Sequence, residues 1–225
     1  GGMDYAAISI LTGAVDFEIS YNTIRDCARF GVFIPAGARL ENGVISNNLI
    51  KDYGLLTADC GAFYNWNTNG GGTKLFNNFI DGSRTPHGQV DGLYLDNYCR
   101  NFIVYRNIIR NVSTGIRINL TSTNNIVHNN TLIGCRYGIG MYGYPGDDAD
   151  MTGTRIFNNL VVNLSTDREY TYYAFENDVE VSKGGRFDNG KIPVLSGAKA
   201  PGSGGNMSGK ITKDFLPEGN AVNGG

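Results

Sequence analysis

One short motif, an Asn followed by two strand-forming residues, recurs six times along this chain of 225 residues. The repeated residues are Asn22, Asn48, Asn78, Asn107, Asn130 and Asn159, and successive ones lie 23 to 30 residues apart. A period of about 20 to 50 residues is typical of a solenoid, in which each repeat packs on its neighbours. This repeat constrains the fold more than any other feature of the sequence.

Each repeat carries a second short apolar segment, and in five repeats this segment begins at a Gly. These residues are Gly31, Gly61, Gly92, Gly115 and Gly138, and residues 173–176 form a sixth segment that lacks the Gly. Because side chains alternate across a strand, one row is expected to face the interior. The predicted interior row consists of Val32, Ala62, Leu93, Ile116, Ile139 and Ala174.

The apolar segments are too short for helices, and a repeat of this length accommodates three strands and three turns. The predicted fold class is therefore all-β, a right-handed single-stranded parallel β-helix with about six coils. We expect the repeated Asn to occupy a left-handed corner and to bond to its equivalents above and below, forming a ladder. A leucine-rich repeat, the main competing solenoid, requires regularly spaced Leu that this chain lacks.

Two domains are predicted: a β-helix over residues 1–178 and a loop-rich tail or cap over residues 179–225. From Lys183 to Gly225 the chain is rich in Gly, Ser, Asn and Lys, which is typical of loops. We expect the tail to cover the strand edges of the last coil or to run along its side. Strand-like sequence begins at Tyr5, so we expect either a piece of a longer protein, without its N-terminal coils, or a mature form.

Composition argues against several classes of function. A net charge of −2 and a pI near 5.7 disfavour a nucleic-acid surface, which works by neutralising phosphates. No apolar run approaches the length of about 20 residues needed to span a bilayer, so we expect no membrane insertion. The chain also contains no signal-peptide pattern. The four cysteines lack metal-binding spacing and are predicted to be isolated buried thiols: Cys27, Cys60, Cys99 and Cys135.

Corresponding outward residues of a solenoid line up from coil to coil, so candidate sites are found column by column. One predicted outward column is Phe33, Phe63, Tyr94, Arg117, Gly140 and Phe175. The next is Pro35, Asn65, Asp96, Asn119, Tyr142 and Asn177. Aromatic rings beside carboxylate, amide and guanidinium groups suit a sugar, which stacks its CH faces on rings and bonds its hydroxyls to polar groups.

Three segments, residues 59–66, 91–97 and 115–119, resemble consecutive coils of bacterial right-handed β-helix proteins of the pectin-lyase-like type. Among carbohydrate-active proteins of this kind, the chain is most similar to the bacterial β-helical glycoside hydrolases. The resemblance implies a polysaccharide or oligosaccharide partner. It also implies a secreted, periplasmic or cell-surface location of bacterial type.

Three carboxylates are the candidate catalytic residues. Asp96 lies in the middle of the outward columns, with Asn65 and Asn119 as predicted neighbours, although Asp is also common as a turn residue at strand ends. Asp91 has the parity of inward Leu93, which predicts a corner position bonded to backbone. Asp59 has outward parity one coil below, and carboxylates on adjacent coils can lie about 5–9 Å apart, as glycosidases require.

Other residues are candidates for substrate binding. From the columns these are Tyr94, Arg117, Asn65, Asn119, Phe63 and Tyr142, and Trp66 follows at a corner. The long loop over residues 82–90 is expected to bring Arg84 and His87 beside Asp91, although an exposed loop His is the simpler interpretation. The loop over residues 142–150 contains Asp147, Asp148 and Asp150, which is either a Ca²⁺ site or a solvated acidic loop.

Three functions remain open. A glycoside hydrolase would use Asp96 with Asp91 or Asp59 as its two carboxylates and would need no cofactor or metal. A polysaccharide lyase or uronan epimerase would need a base and a cation, for which Arg117 and His87 are available. A noncatalytic sugar-binding or adhesive β-helix would use the same aromatic residues only to bind.

Overall fold

The computed structural model describes residues 5–82, 84, 88–119, 121–142, 150–162 and 186–187, and all the regular structure in these residues is β. Sheet 1 is formed by β1 (Ala6–Ser9), β4 (Phe30–Ile34), β7 (Cys60–Asn65), β10 (Val90–Leu95), β13 (Thr114–Asn119) and β16 (Tyr137–Tyr142). Sheet 2 is formed by β2 (Glu18–Ser20), β5 (Val44–Ser46), β8 (Lys74–Phe76), β11 (Ile103–Tyr105), β14 (Ile126–His128), β17 (Arg155–Phe157) and β19 (Arg186–Phe187). Sheet 3 is formed by β3 (Thr23–Arg25), β6 (Leu49–Lys51), β9 (Phe79–Asp81), β12 (Ile108–Arg110), β15 (Thr131–Ile133) and β18 (Leu160–Val162).

Every strand pairing is parallel and, through β18, joins strands three apart in the chain. Each coil therefore contributes one strand to each sheet, as the sequence repeat predicts. The short strand β19, within the predicted tail, adds in parallel to β17 at the end of sheet 2. The rest of the tail, the sixth second-strand segment with Ala174 and Phe175, and Asn177 lie outside the described residues.

The predicted Asn ladder is confirmed at the corner between sheets 2 and 3. Each Asn donates from Nδ2 to Oδ1 of the Asn on the next coil, with distances of 2.8 to 3.0 Å from Asn22 through to Asn159. The left-handed corner, however, is occupied by the residue before each ladder Asn, from Tyr21 (φ 60°) to Asn158 (φ 53°). The preceding residue makes the turn, which leaves the Asn side chain to bond along the stack.

The interior row of sheet 1 departs from the prediction at one coil. Phe63, and not Ala62, pairs with Val32 on one side and Leu93 on the other, and Phe63 is 1% exposed. Ala62 instead occupies the small-residue column that Gly92 occupies on the next coil. A Cβ added at Gly92 would lie 2.5 Å from Cγ2 of Ile109, so this column accepts only the smallest side chains. A slip of one residue reverses the face of each side chain, and Phe63 is therefore a core residue.

The second interior row contains an unexpected polar residue. Asn65 pairs with Ile34 and Leu95 and is fully buried, so it does not lie beside Asp96 on the outside as predicted. Neither Nδ2 nor Oδ1 of Asn65 has a hydrogen-bond partner among the described residues. This buried amide is therefore a cost to the fold.

The predictions for the cysteines agree with the structure, in which all four are free and buried. Burial raises the pKa of Cys60 and of Cys135 to about 12, so these thiols stay protonated. The described part of the chain contains no cluster of His, Cys, Asp and Glu suited to a metal ion, and no helix long and apolar enough to cross a membrane. Asp147 and Asp148 lie outside the described residues, and Asp150 accepts hydrogen bonds from Thr152.

Candidate functional site

The outer side of sheet 1 carries a column of aromatic and basic side chains. Strand register aligns Phe33, Tyr64, Tyr94 and Arg117 on successive coils. The ring of Tyr64 stacks on Phe33 with centroids 6.0 Å apart and meets Tyr94 edge-on at 5.0 Å. Tyr64 thus holds the position predicted for Phe63.

A second outer row runs beside this column. Trp66 follows Asn65 as Asp96 follows Leu95, so the indole and the carboxylate lie on adjacent coils. Asn119 pairs with Tyr142 one coil further on. Exposure decreases along this row: Trp66 is 45% exposed, Asp96 is half-buried and Asn119 is buried. We refer to Tyr64, Trp66, Tyr94, Asp96, Arg117 and Asn119 together as the outer face.

The Asp96 carboxylate is held by three hydrogen-bond donors. The Tyr64 hydroxyl donates to Oδ2 at 2.7 Å, while Asn119 Nδ2 and the Asn97 backbone N–H donate to Oδ1 at 2.5 and 2.8 Å. Burial raises the pKa of Tyr64, and the Asp96 carboxylate raises it further, so the hydroxyl remains a donor at neutral pH. Both carboxylate oxygens of Asp96 are therefore fixed in direction while the group stays accessible from solvent.

The Tyr94 hydroxyl connects Asp96 to a second carboxylate. It donates to Asp59 Oδ1 at 3.4 Å and accepts from Asn119 Nδ2 at 3.2 Å, the same nitrogen that bonds Asp96. Asp59 is exposed and also accepts from Gln89 Nε2 at 3.3 Å. Asp59 therefore lies one coil before Asp96, as predicted, and the Tyr94 hydroxyl and the Asn119 amide together link the two solvent-accessible carboxylates.

Arg117 is enclosed by the outer face. Its guanidinium carbon lies 4.8 Å from the Tyr94 ring centroid and 4.1 Å from that of Tyr142, and the residue is 8% exposed. Arg117 Nε donates to Asn119 Oδ1 at 3.0 Å, and Nη1 lies 3.6 Å from Asp91 Oδ2. The strand register agrees with the predicted columns, in which Arg117 follows Tyr94 and Tyr142 follows Asn119. The cation is in contact with a carboxylate, an amide and two rings.

Asp91 lies beneath this cation and is completely buried. A Cβ added at Gly92 would point into the core, toward Ile109. Because side chains alternate along a strand, the Asp91 side chain points outward, where Arg117 lies. Oδ1 accepts a hydrogen bond from the Thr114 backbone N–H at 2.9 Å, in agreement with the predicted bonding to backbone. Burial raises the pKa of Asp91 to about 6, against the lowering effects of Arg117 and Thr114.

The long loop before β10 differs from its prediction. Arg84 lies 3.0 Å from Asp26 Oδ1 and 3.5 Å from Asp52 Oδ2, at the end of sheet 3, and is not beside Asp91. Its guanidinium is drawn to this carboxylate pair on the two preceding coils. His87 lies outside the described residues.

Sequence reasoning missed Tyr64 because the coils were aligned on Gly61. Aligning the small residues instead, with Ala62 opposite Gly92, would have placed Tyr64 beside Tyr94 and Trp66 beside Asp96. The signal was therefore present in the sequence as a single Ala in a column of Gly.

Fold and outer face together define a parallel β-helix protein with one aromatic and carboxylate-bearing surface. The family model described as a right handed beta helix region matches residues 6–177, and the chain belongs to this family. The match also supplies the predicted handedness of the coil. No match was found among curated proteins or among solved structures.

Proposed function

We propose that this protein is a glycoside hydrolase that cleaves a polysaccharide or oligosaccharide with Asp96 and Asp59. The observation that supports this most is a short hydrogen-bond network between two solvent-accessible carboxylates: the Tyr94 hydroxyl bonds Asp59, and the Asn119 amide bonds both that hydroxyl and Asp96. Glycosidases require two carboxyl groups across the scissile bond, separated by about 5 to 9.5 Å. Asp91 was the alternative second carboxylate, but its complete burial beneath Arg117 keeps it from substrate.

The two carboxylates are assigned different roles by their surroundings. Asp96 accepts three hydrogen bonds, which suits an ionised group that attacks the anomeric carbon or removes a proton from water. Asp59 is the other accessible carboxyl group and is therefore assigned as the acid that protonates the leaving glycosidic oxygen as that bond breaks. This two-carboxylate chemistry requires no cofactor.

Binding of the sugar is assigned to the aromatic part of the outer face. Trp66 presents an exposed ring beside Asp96, and rings of this kind stack on the CH faces of sugars. The Asn119 amide and the Tyr94 hydroxyl are buried and already hydrogen-bonded within the protein, so they orient the two carboxylates and do not bind the sugar directly. A polymeric substrate is met outside the cytoplasm, so a secreted, periplasmic or cell-surface location belongs to the proposal.

A lyase or epimerase acting on uronic acids is less well supported. Such an enzyme neutralises the substrate carboxylate with a cation. Arg117 is 8% exposed and already lies against Asp91, Asn119 and two tyrosine rings. A uronate placed against Asp96, the carboxylate assigned as ionised, would also meet like charge, which is unfavourable.

The test is a glycan screen of the wild type and of the variants Asp96→Asn and Asp59→Asn. Asp16→Asn is the control, because Asp16 is an exposed aspartate on the first coil, outside the outer face. New reducing ends, absorbance of unsaturated uronates and fluorescence of Trp66, the single Trp of the chain, are measured together. We expect reducing ends from the wild type and the control, a loss of about 100-fold or more in either site variant, and retained binding in Asp96→Asn.

Two other results would replace this proposal. Unsaturated products would indicate a lyase. Binding without any product from the wild type would indicate a noncatalytic sugar-binding β-helix.

A further inference from the structure

A continuous chain of contacts runs from the buried carboxylate to the accessible one. Asp91 Oδ2 lies 3.6 Å from Arg117 Nη1, Arg117 Nε donates to Asn119 Oδ1 at 3.0 Å, and Asn119 Nδ2 donates to Asp96 Oδ1 at 2.5 Å. The four residues occupy only two adjacent strands and the turn that follows the first. Each link uses a different atom of its residue, so a shift of Arg117 must also shift Asn119.

Asp91 holds the charged end of this chain. The Thr114 backbone N–H donates to Asp91 Oδ1. Asp91 Oδ2 has no hydrogen-bond partner within the described part of the chain, and it lies 3.6 Å from Arg117 Nη1. The other titratable groups that act on Asp91 or feel its charge come from each neighbouring element: Tyr53, Asp59, Cys60, Cys135 and Tyr142. None of these five groups is a cation, and the opposite charge comes from Arg117.

The tyrosine rings on either side of Arg117 restrict how it can respond. The guanidinium carbon lies 4.8 Å from the Tyr94 ring centroid and 4.1 Å from that of Tyr142, so both rings limit the space into which it can move. Within this space Nη1 faces Asp91 and Nε faces Asn119, so a single guanidinium contacts the buried carboxylate and the amide at the same time.

We propose that Asp91 is a positioning residue, whose buried carboxylate holds Arg117 so that Asn119 orients the Asp96 carboxylate toward the substrate. The inference rests on the proposed function only in assuming that a substrate binds beside Asp96, because the orientation of Asp96 is a property of the free protein. Asp91 does not touch the sugar. It acts through two other side chains.

The test is a comparison of Asp91→Asn with Asp81→Asn at pH 7.5. Asp81 is a second buried aspartate paired with an arginine, since Arg110 donates to its Oδ2 at 2.7 Å, but it lies on sheet 3 away from the outer face. The readout is the NMR signals of the Asn119 side-chain amide and of Arg117 Nε–H, which need no substrate. We expect both signals to shift in Asp91→Asn and to remain at their wild-type positions in Asp81→Asn.

Unchanged Asn119 and Arg117 signals in Asp91→Asn, or equal shifts in both variants, would overturn the proposal. If Asp91→Asn does not fold, Arg117→Lys cuts the same chain at its next link, because Lys keeps the charge beside Asp91 but has no Nε. The Asn119 amide signal should then shift, and a signal that stays at its wild-type position would again overturn the proposal.

Kinetics on any glycan that the wild type hydrolyses add a second readout. A misdirected Asp96 should lower kcat by about 100-fold with KM little changed, because misplacement of a reacting group acts on the chemical step. A loss in Asp91→Asn confined to KM would contradict the positioning role. Absence of hydrolysis by the wild type would count against the proposed function, while the NMR comparison would still decide the role of Asp91.

Discussion

The Asn ladder and the outer face are both rows of polar side chains on successive coils, yet they are built in opposite ways. Every rung of the ladder has the same residue, the same donor and the same acceptor. On the outer face the aligned residues change along the stack, from Tyr64 and Tyr94 to Arg117 in one row and from Trp66 through Asp96 to Asn119 in the other.

This difference separates residues that serve the fold from those that serve a site. A coil packs on a similar coil, so a structural requirement recurs with the repeat. A ligand meets several coils at once and requires different groups from each. Departure from the repeat, as at Asp96 beside Trp66 and Asn119, is therefore the better guide to function in this chain.

The largest effect is expected at the centre of the ladder. Asn107 bonds Asn78 on one side and Asn130 on the other, and its Nδ2 also donates to the Leu75 carbonyl. Asn107→Ala leaves several buried groups without partners and should lower the free energy of unfolding by about 4 kcal/mol. Urea unfolding measures this difference.

The end rung provides the matched control for Asn107. Asn22 is exposed and gives its ladder bond to Asn48 alone, so Asn22→Ala should cost about 1 kcal/mol. Equal costs at Asn22 and Asn107 would mean that the ladder does not derive its strength from burial.

The next effect is on the pH dependence of stability, which we expect from the buried Asp91 carboxylate and not from the uncharged ladder. The pKa of Asp91 is about 6 in the folded chain and about 3.9 in an unfolded one, so the proton is bound more tightly when the protein is folded. Stability from this site is fully present below about pH 3.9 and is lost as pH rises through 6, a change of about 3 kcal/mol. The variant Asp91→Asn has no carboxyl group at this position, so its stability should not fall in this way as the pH rises.

Unfolding free energies of wild type and Asp91→Asn at pH 4 and pH 7 check this sign. The difference, variant minus wild type, should increase by about 2 kcal/mol between the two pH values, because the unfolded carboxyl is already about half ionised at pH 4 and the other carboxylates are common to both proteins. A difference that stays constant would mean that Asp91 is already ionised at pH 4 in the folded protein.

A smaller effect of opposite direction is expected at Asn65, an amide that belongs neither to the ladder nor to the outer face. Its buried Nδ2 and Oδ1 have no partners among the described residues, and it sits between Ile34 and Leu95. Asn65→Leu should raise the free energy of unfolding by about 2 kcal/mol. The same substitution at ladder residue Asn78 should lower it, and stabilisation at both sites would remove the distinction between them.

The smallest effect is expected for binding at the outer face. Trp66→Ala removes an exposed ring and should weaken the affinity for a bound oligosaccharide about tenfold, or about 1.4 kcal/mol, with stability unchanged. Isothermal titration calorimetry measures the affinity. Tyr21→Ala, which removes an 82% exposed ring at the first ladder corner, is the control and should bind as the wild type does.

The sequence was sufficient for the parts of the fold that repeat. All six ladder positions and five second strands could be predicted because each coil solves the same packing problem with the same residue types. The left-handed corner was assigned one residue too late, at Asn22 and its equivalents, because both Asn and its predecessor are compatible with a turn. In four of the six coils the predecessor is Asn47, Asn77, Asn129 or Asn158, so composition could not decide between the two.

The candidate site was predicted less completely because it depends on register. Asp96, Tyr94, Arg117 and Asn119 were placed correctly because their coils align Gly with Gly, whereas Phe63 and Asn65 were misplaced by one residue. The contact between Asp91 and Arg117 could not be read from alternation, which put the two side chains on opposite faces. It arises because Gly92 and Leu93 both turn toward the core.

The stacking of coils has a consequence for how such a chain can change in length. Duplication of one entire repeat after Asn97 would extend the ladder by one rung, with every bond of that corner reproduced. The same duplication would move Asn119 about 4.8 Å further from Asp96, the spacing of neighbouring strands. Gain or loss of whole coils is therefore compatible with folding everywhere, but within the coils from Asp59 to Tyr142 it would dismantle the surface that those residues share.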